Sequence, residues 1–223
     1  MFISTFMTKD VVTVEKKEDI ARARLLMSHH RFRHLPVTLP DNTLVGIVSD
    51  RDIRSAMPSK YFNEHGPKVV DTVETTGVSV EEIMTTDPVC ISLSATIHDA
   101  LLLIERKRVG AFPVVDESLK LKGIVSDRDL LNAFLDVMGI REPGALLGIV
   151  VDEKIEEMEH IIHALIAENI HFGSILVHRN WRPGKRAVFP YLFAKNVVNL
   201  KKKLRDMGYE ILDPGEWYDD RRP

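Results

Sequence analysis

Apolar and polar residues follow two rhythms along this chain. Short β-rich runs stand at Val11-Val12-Thr13-Val14, Leu35-Pro36-Val37 and Leu44 to Val48. Turn formers such as Pro40-Asp41-Asn42 separate them, so they read as strands. Between the first two, Glu18 to His30 places Ile20, Ala23, Leu26 and Met27 at a helical period. A second helix is expected after the third strand. The same order (strand, helix, strand, strand, helix) then returns. Val89-Cys90-Ile91 is followed by a helix through Ile97, Ala100, Leu101 and Ile104, then by strands at Phe112 to Val115 and Leu121 to Val125.

The return is literal over seven residues. Gly46-Ile47-Val48-Ser49-Asp50-Arg51-Asp52 recurs unchanged as Gly123-Ile124-Val125-Ser126-Asp127-Arg128-Asp129, 77 residues later. That spacing also carries Met7-Thr8 onto Met84-Thr85, Asp10 onto Asp87, Leu25-Leu26 onto Leu102-Leu103, Arg31 onto Arg108 and Pro36-Val37 onto Pro113-Val114. One spacing serving so many separated matches without a gap identifies a duplicated unit. The copies occupy residues 1–61 and 80–138. The linker, residues 62–79, contains turn signals at Gly66-Pro67 and Thr75-Thr76-Gly77. Ser79 and Glu82 have capping-box spacing and should open a short helix through Met84.

A third pattern fills residues 139–223. Ala145 to Val151 reads as a strand, and Glu153 to Glu168 as an amphipathic helix with Ile155, Met158, Ile161, Ile162, Leu165 and Ile166 on one side. Strands at Phe172 to His178 and Ala187 to Phe193 flank a polar loop, Arg179 to Arg186. A helix over Asn196 to Met207 and a strand at Tyr209 to Leu212 complete the order βαββαβ, which is ferredoxin-like. The fold class is α/β (α+β).

Composition narrows the functional classes. The 223 residues are 44% hydrophobic and 28% charged, as in an ordinary globular protein. No apolar run approaches the roughly 20 residues of a membrane span. The first residues lack a secretion signal, so a cytoplasmic location and no membrane partner are expected. A net charge of −3 gives no indication of a nucleic-acid partner. Residues 1–60 nevertheless hold ten Lys/Arg against seven Asp/Glu, which makes the first copy the better home for an anion. Cys90 is the only cysteine, which excludes an intramolecular disulfide. Its apolar neighbours favour a packed thiol over a reactive one.

The repeated seven residues are a strand running into a helix start. Ser49 and Asp52, like Ser126 and Asp129, have capping-box spacing. Capping alone accounts for one copy. The same geometry also offers backbone N–H groups and the positive dipole end to a phosphate, and a carboxylate to ribose hydroxyls.

Gly-h-x-Ser-x-x-Asp (h, hydrophobic) closing a unit with a central Leu-Pro-Val or Phe-Pro-Val strand resembles the CBS motif. Two such units resemble a CBS pair, or Bateman module, over about residues 1–138. The resemblance implies binding of AMP, ADP, ATP or a related adenosyl ligand in clefts between the copies. Asp52 and Asp129 would then hold ribose, while Ser49, Ser126, Arg51 and Arg128 would meet phosphate. Val11, Val12, Val89 and Cys90 would contact adenine, together with the strands of Pro36 and Pro113. Arg31, Arg33 and His34 are further phosphate candidates. The second copy has Gly110-Ala111 where the first has Arg33-His34, so phosphate is expected to bind more tightly where that pair projects.

A βαββαβ domain after a CBS pair resembles an ACT domain, and the order resembles bacterial acetoin-utilisation proteins of the AcuB type. The Asp-x-Pro-Gly turn common after the first ACT strand is replaced by Val151-Asp152-Glu153-Lys154. An amino-acid sensor and a ligand-free dimerising domain both remain open. The reading is a non-catalytic regulatory sensor with no required cofactor, no metal and an adenine nucleotide as regulatory ligand. A homodimer acting on an unidentified protein partner, with a link to acetoin or acetyl-CoA metabolism, is expected. The alternatives are a structural or dimerising scaffold without ligand, and a weak Mg-dependent nucleotide hydrolase using Asp50 and Asp52. A DNA-binding regulator would need a helix-turn-helix, and none is apparent. His160 and His163 lie three apart without a ligand cluster around them, so they read as surface residues.

Overall fold

Strand β1 (His34–Thr38) and strand β2 (Leu44–Ser49) pair antiparallel, with Leu35 opposite Val48 and Val37 opposite Gly46. Asn42 takes φ 65° in the connecting turn, a conformation that a short polar side chain tolerates. Helix α1 (Ile20–His30) precedes the hairpin and α2 (Asp50–Ala56) follows it. Asp19 caps α1 through the Ala21 N–H and also accepts from Thr76 and Gly77. His29 and His30 occupy the last turn of α1, where cations suit the helix dipole. The computed structural model describes residues 1–57 and 75–212. The Gly66-Pro67 turn signal lies outside them.

The second copy repeats this architecture. It consists of β3 (Ile91–Ser92), α3 (Ile97–Lys107), β4 (Ala111–Val115), β5 (Leu121–Ser126) and α4 (Asp127–Met138). The registers match residue for residue, with Phe112 opposite Val125 and Val114 opposite Gly123. The expected first strands are minimal. Ile91 and Ser92 pair parallel with β4, and Val14 makes a single parallel bridge to Val37. Leu101, expected on the buried face of α3, is 43% exposed, because Ile97 and Ala100 carry that face.

Each copy lends its leading segment to the other. Ile3 is fully buried and donates its N–H to the Ala95 carbonyl, and Thr8 exchanges both backbone bonds with Ile124. Reciprocally, Val80 is fully buried in the first copy's core with Ile20, Leu35, Val37, Val48 and Ile53. Thr85 exchanges both backbone bonds with Ile47. Ser79 and Glu82 form the expected hydrogen bonds, opening a 3-10 turn (Val80–Glu82) rather than a longer helix. The glycine of each motif permits this exchange. A Cβ on Gly46 would stand 2.9 Å from the Thr85 carbonyl, and one on Gly123 2.8 Å from that of Thr8.

The described residues form two compact units, Met1–Leu131 and Asn132 onward. In the second unit, β6 (Ala145–Leu146) and β7 (Gly148–Asp152) run along one edge of β9 (Lys185–Leu192). Leu147, between them, donates its N–H to Pro190. Strand β8 (Phe172–Arg182) takes the other edge of β9, and β10 (Glu210–Leu212) pairs with β7. All pairings are antiparallel, the arrangement of a split βαββαβ sheet. Helices α5 (Glu156–Ala167) and α6 (Val198–Asp206) cover one face, burying Ile161, Leu165, Leu200 and Leu204 against Ile149, Val188 and Leu192.

The structure departs from the sequence pattern in two places. The loop placed at Arg179 to Arg186 shrinks to Pro183-Gly184, with Gly184 at φ 68°. Trp181 is buried on Val150 and Ala187, and Arg182 pairs with Glu210. These contacts carry the strand two further turns of the pleat. Ile155 and Ile166 are exposed, at 84% and 68%. Helix α5 starts only after Ile155, and its buried stripe runs through Ile161, Ala164 and Leu165.

Among the described residues, no helix is long and apolar enough to cross a membrane, and no three His, Cys, Asp or Glu gather to hold a metal ion. His160 Nδ1 lies 3.2 Å from the Tyr209 hydroxyl, while His163 is exposed.

Candidate functional site

Strand β2 delivers Ser49 in an extended conformation (φ −107°, ψ 160°), so α2 begins at the next residue. The Asp50 N–H donates to the Arg33 carbonyl at 2.9 Å, which ties the helix start to the head of β1. Asp52 Oδ2 accepts from the Ser49 N–H at 2.8 Å and from its hydroxyl at 2.6 Å. The second copy reproduces this. Asp127 N–H donates to the Gly110 carbonyl at 3.0 Å, and Asp129 Oδ2 accepts from Ser126 N–H and Oγ–H at 2.8 and 2.7 Å. These bonds engage only Oδ2, so the capping box leaves Oδ1 able to accept from a ligand hydroxyl. Cap and ligand grip are compatible roles for one carboxylate.

A cavity of about 720 Å³ brings the second copy's motif together with the first copy's leading residues. Ser126, Arg128 and Asp129 line it from one side, and Val11, Val12, Arg33 and His34 from the other. Sequence reasoning placed these residues on separate units. What unites them is the bridge between Thr8 and Ile124, which lays the segment leading to Val11 and Val12 beside β5. Reading the sequence as binding residues missed Thr8, Asp10, His30 and Phe32 in the wall. Their only signal was position, near residues already chosen.

The other chosen residues lie elsewhere. Ser49, Arg51 and Asp52 hold the equivalent place at the start of α2, outside this cavity's wall. Pro36 and Pro113 are buried within β1 and β4, opposite Ile47 and Ile124, and do not line it. Val89 is half-buried. Cys90 packs with Val11 against Leu44, Val115 and Leu121, where burial pushes its thiol pKa up. That agrees with a packed rather than reactive thiol.

The electrostatics favour an anion on the first copy's side. Arg31 turns into the left-handed region (φ 58°) as it ends α1. It, Arg33 and Arg128 are the cavity's three guanidiniums, and none of them appears in the ion pairs of the described residues, whereas Arg54 is tied to Asp50. Asp10, Asp127 and Asp129 are the acids of the wall. Asp129 is engaged by Ser126, and Asp127 Oδ1 accepts from the Arg128 backbone at 2.7 Å. The remaining cationic donors can meet phosphate oxygens, and Asp129 can meet a sugar.

Comparison with known proteins identifies the family. The CBS domain model matches twice, over residues 3–59 and 80–136. Inosine-5'-monophosphate dehydrogenase of Korarchaeum cryptofilum is 29% identical over 174 residues, 75% of this chain. The chain spans only about a third (33%) of that relative's length. The structure of CBSX2 in complex with AMP, a CBS-pair protein from Arabidopsis thaliana, is similar at 29% identity and TM-score 0.50, covering 63% of this chain and 98% of that one. The acetoin utilization protein AcuB structure from Vibrio cholerae has TM-score 0.52 at 23% identity, covering 63% of this chain and 96% of that one, a likeness of fold. With the duplicated motif, the exchanged leaders and the family match over both copies, the chain belongs to the CBS-domain family as a tandem CBS pair.

Proposed function

We propose that this chain is a non-catalytic regulatory protein whose CBS pair binds an adenine nucleotide or related adenosyl ligand. One observation carries the reading. A single cavity gathers Ser126 and Asp129 from one copy with Val11, Val12, Arg31 and Arg33 from the other. Asp129 Oδ1 accepts from ribose hydroxyls, the guanidiniums and the start of α4 meet phosphate, and the two valines flank the base. The AMP complex of CBSX2 supports this choice of ligand class. Ser49, Arg51, Asp52, Val89 and Cys90 are proposed to serve a second, equivalent cleft.

A ligand touching both copies favours whichever packing of the copies suits it, and that difference in affinity is what a sensor transmits. The βαββαβ unit is proposed as an ACT-like domain that pairs two chains. Among the described residues its β8 pairs with β9 alone and exposes Phe172, Leu176 and Val177. A regulated partner in acetoin or acetyl-CoA metabolism is proposed from the resemblance of the domain order to AcuB-type proteins. Calorimetric titration with AMP, ADP, ATP and S-adenosylmethionine tests the proposal. Saturable heat with at least one of them is expected, and silence across the panel at millimolar concentration refutes it.

A further inference from the structure

We propose that an anionic ligand enters this cavity together with a proton on His34, so that affinity rises as pH falls. The inference rests on the nucleotide reading above and names the residue that makes it pH-dependent.

His34 begins β1, is half-buried and lines the cavity. Its ring lies against the other copy. A Cβ built on Gly110 would stand 3.1 Å from His34 Cε1 and 3.4 Å from Nε2. The duplication is broken here, because Ala111 stands where the twin of His34 would be and Arg33 where that of Gly110 would be. One imidazole therefore occupies a place the internal symmetry would fill twice. Charged groups face it from each neighbouring element: Asp127 of α4, Asp52 and Asp50 of α2, and Arg33 beside it in sequence. His30, Arg31, Asp10, Arg128 and Asp129 complete the charged and titratable lining.

Burial is the largest influence and holds the imidazole below its ordinary pKa of 6.5, against the pull of Asp127 and Asp52. The ring is thus neutral at neutral pH, when no anion is bound. A phosphate in the cavity favours the charged ring. The bound-state pKa then lies above the free one, and proton and ligand promote each other's binding. The gain in affinity is fully present below the free-protein pKa and is lost as pH rises through the bound-state pKa. Each unit between the two pKa values is worth about tenfold in affinity.

The test is calorimetric titration of wild type, His34→Ala and His34→Gln with AMP at about pH 8 and about pH 6, each in two buffers of unlike ionisation enthalpy. Ala111 in the twin position shows that this backbone accepts alanine, and glutamine keeps a polar side chain that does not titrate. AMP's own phosphate protonates near pH 6, and the variants register that contribution alone. Wild type is expected to take up more protons on binding than either variant, and its affinity relative to His34→Gln should grow toward the lower pH, by at most about tenfold for each unit between the free and bound pKa values. Equal proton uptake in all three proteins overturns the role of His34 while leaving nucleotide binding standing. Absence of binding across the adenosyl panel at both pH values overturns the nucleotide reading, and this inference with it.

Discussion

Replacing Gly123 by alanine tests the exchange of leading segments on which the cavity depends. The new Cβ would lie 2.6 Å from Met7 Sδ and 2.8 Å from the Thr8 carbonyl oxygen. The sulfur sits on a flexible side chain and can swing away. The carbonyl cannot, because Thr8 is held to Ile124 by backbone bonds of 2.9 and 3.0 Å. Relief requires the segment to retreat, giving up those two bonds at about 1 kcal/mol each. Part of the burial of Ile3 goes with them, out of about 1.5–3 kcal/mol for a fully buried side chain of this size. The expected loss is about 2–4 kcal/mol, a fall in melting temperature of about 10 °C for a unit of this size. Thr8, Asp10, Val11 and Val12 move with the segment, so ligand affinity should fall as well. Differential scanning calorimetry with and without AMP measures both. Adding Met7→Ala should restore only a minor part, since the carbonyl clash persists. A Gly123→Ala protein that melts within about a degree of wild type and binds unchanged would refute the reasoning.

Further outcomes follow from other contacts. Lys120, which donates to Asp41 at 2.5 Å across the two hairpins, holds that carboxyl down to about 2. The stabilisation is present above the ordinary carboxylate pKa and lost as pH falls toward 2. In Lys120→Ala, the Asp41 carboxyl should titrate by NMR at a higher pH than in wild type, while its bonds to Thr43 keep it below the ordinary 3.8. In the second unit, burial, joined by a hydrogen bond to Glu157 at 2.6 Å, pushes the Tyr209 phenol well above its ordinary 10. Tyr209 should therefore be the last tyrosine to ionise in a spectrophotometric titration, and Tyr209→Phe should remove that final step at a stability loss of about 1 kcal/mol. Asp129→Ala removes a charged ligand partner and should weaken adenosyl binding about tenfold to a hundredfold by calorimetry. Asp129→Asn, which keeps an oxygen for capping, should melt closer to wild type than the alanine variant.

The sequence makes the duplication legible because matched residues at one spacing are a local, countable signal. The hairpins, the capping boxes of Ser49 and Ser126 and the βαββαβ order were likewise accessible from short-range pattern. The exchange was not. Nothing in Met7-Thr8 or Met84-Thr85 states that each pairs with the other copy, since that contact spans more than a hundred residues in one case (Thr8 to Ile124). For the same reason the cavity's cross-copy wall was hidden, although Val11, Val12, Arg31, Arg33 and His34 on one side and Ser126, Arg128 and Asp129 on the other are legible as candidates. The errors in detail have packing causes. Ile155, Ile166 and Leu101 fit a helical period, but Ile155 precedes the first turn of α5, and the buried faces run through Ile161, Ala164 and Leu165 in α5 and through Ile97 and Ala100 in α3. The β8–β9 hairpin (Phe172–Leu192) runs past its polar residues because Trp181 packs on Val150 and Ala187, a tertiary contact that overrides local polarity.

The central claim is that one capping carboxylate and the leader of the opposite copy together hold an adenosine phosphate. A crystal structure of the full chain grown with millimolar AMP tests this most directly. The account predicts AMP in the cavity with its ribose hydroxyls on Asp129 Oδ1, its phosphate beside Arg31, Arg33 and Arg128, and its base against Val11 and Val12. A fully occupied AMP elsewhere on the protein, with this cavity holding only water, would contradict it.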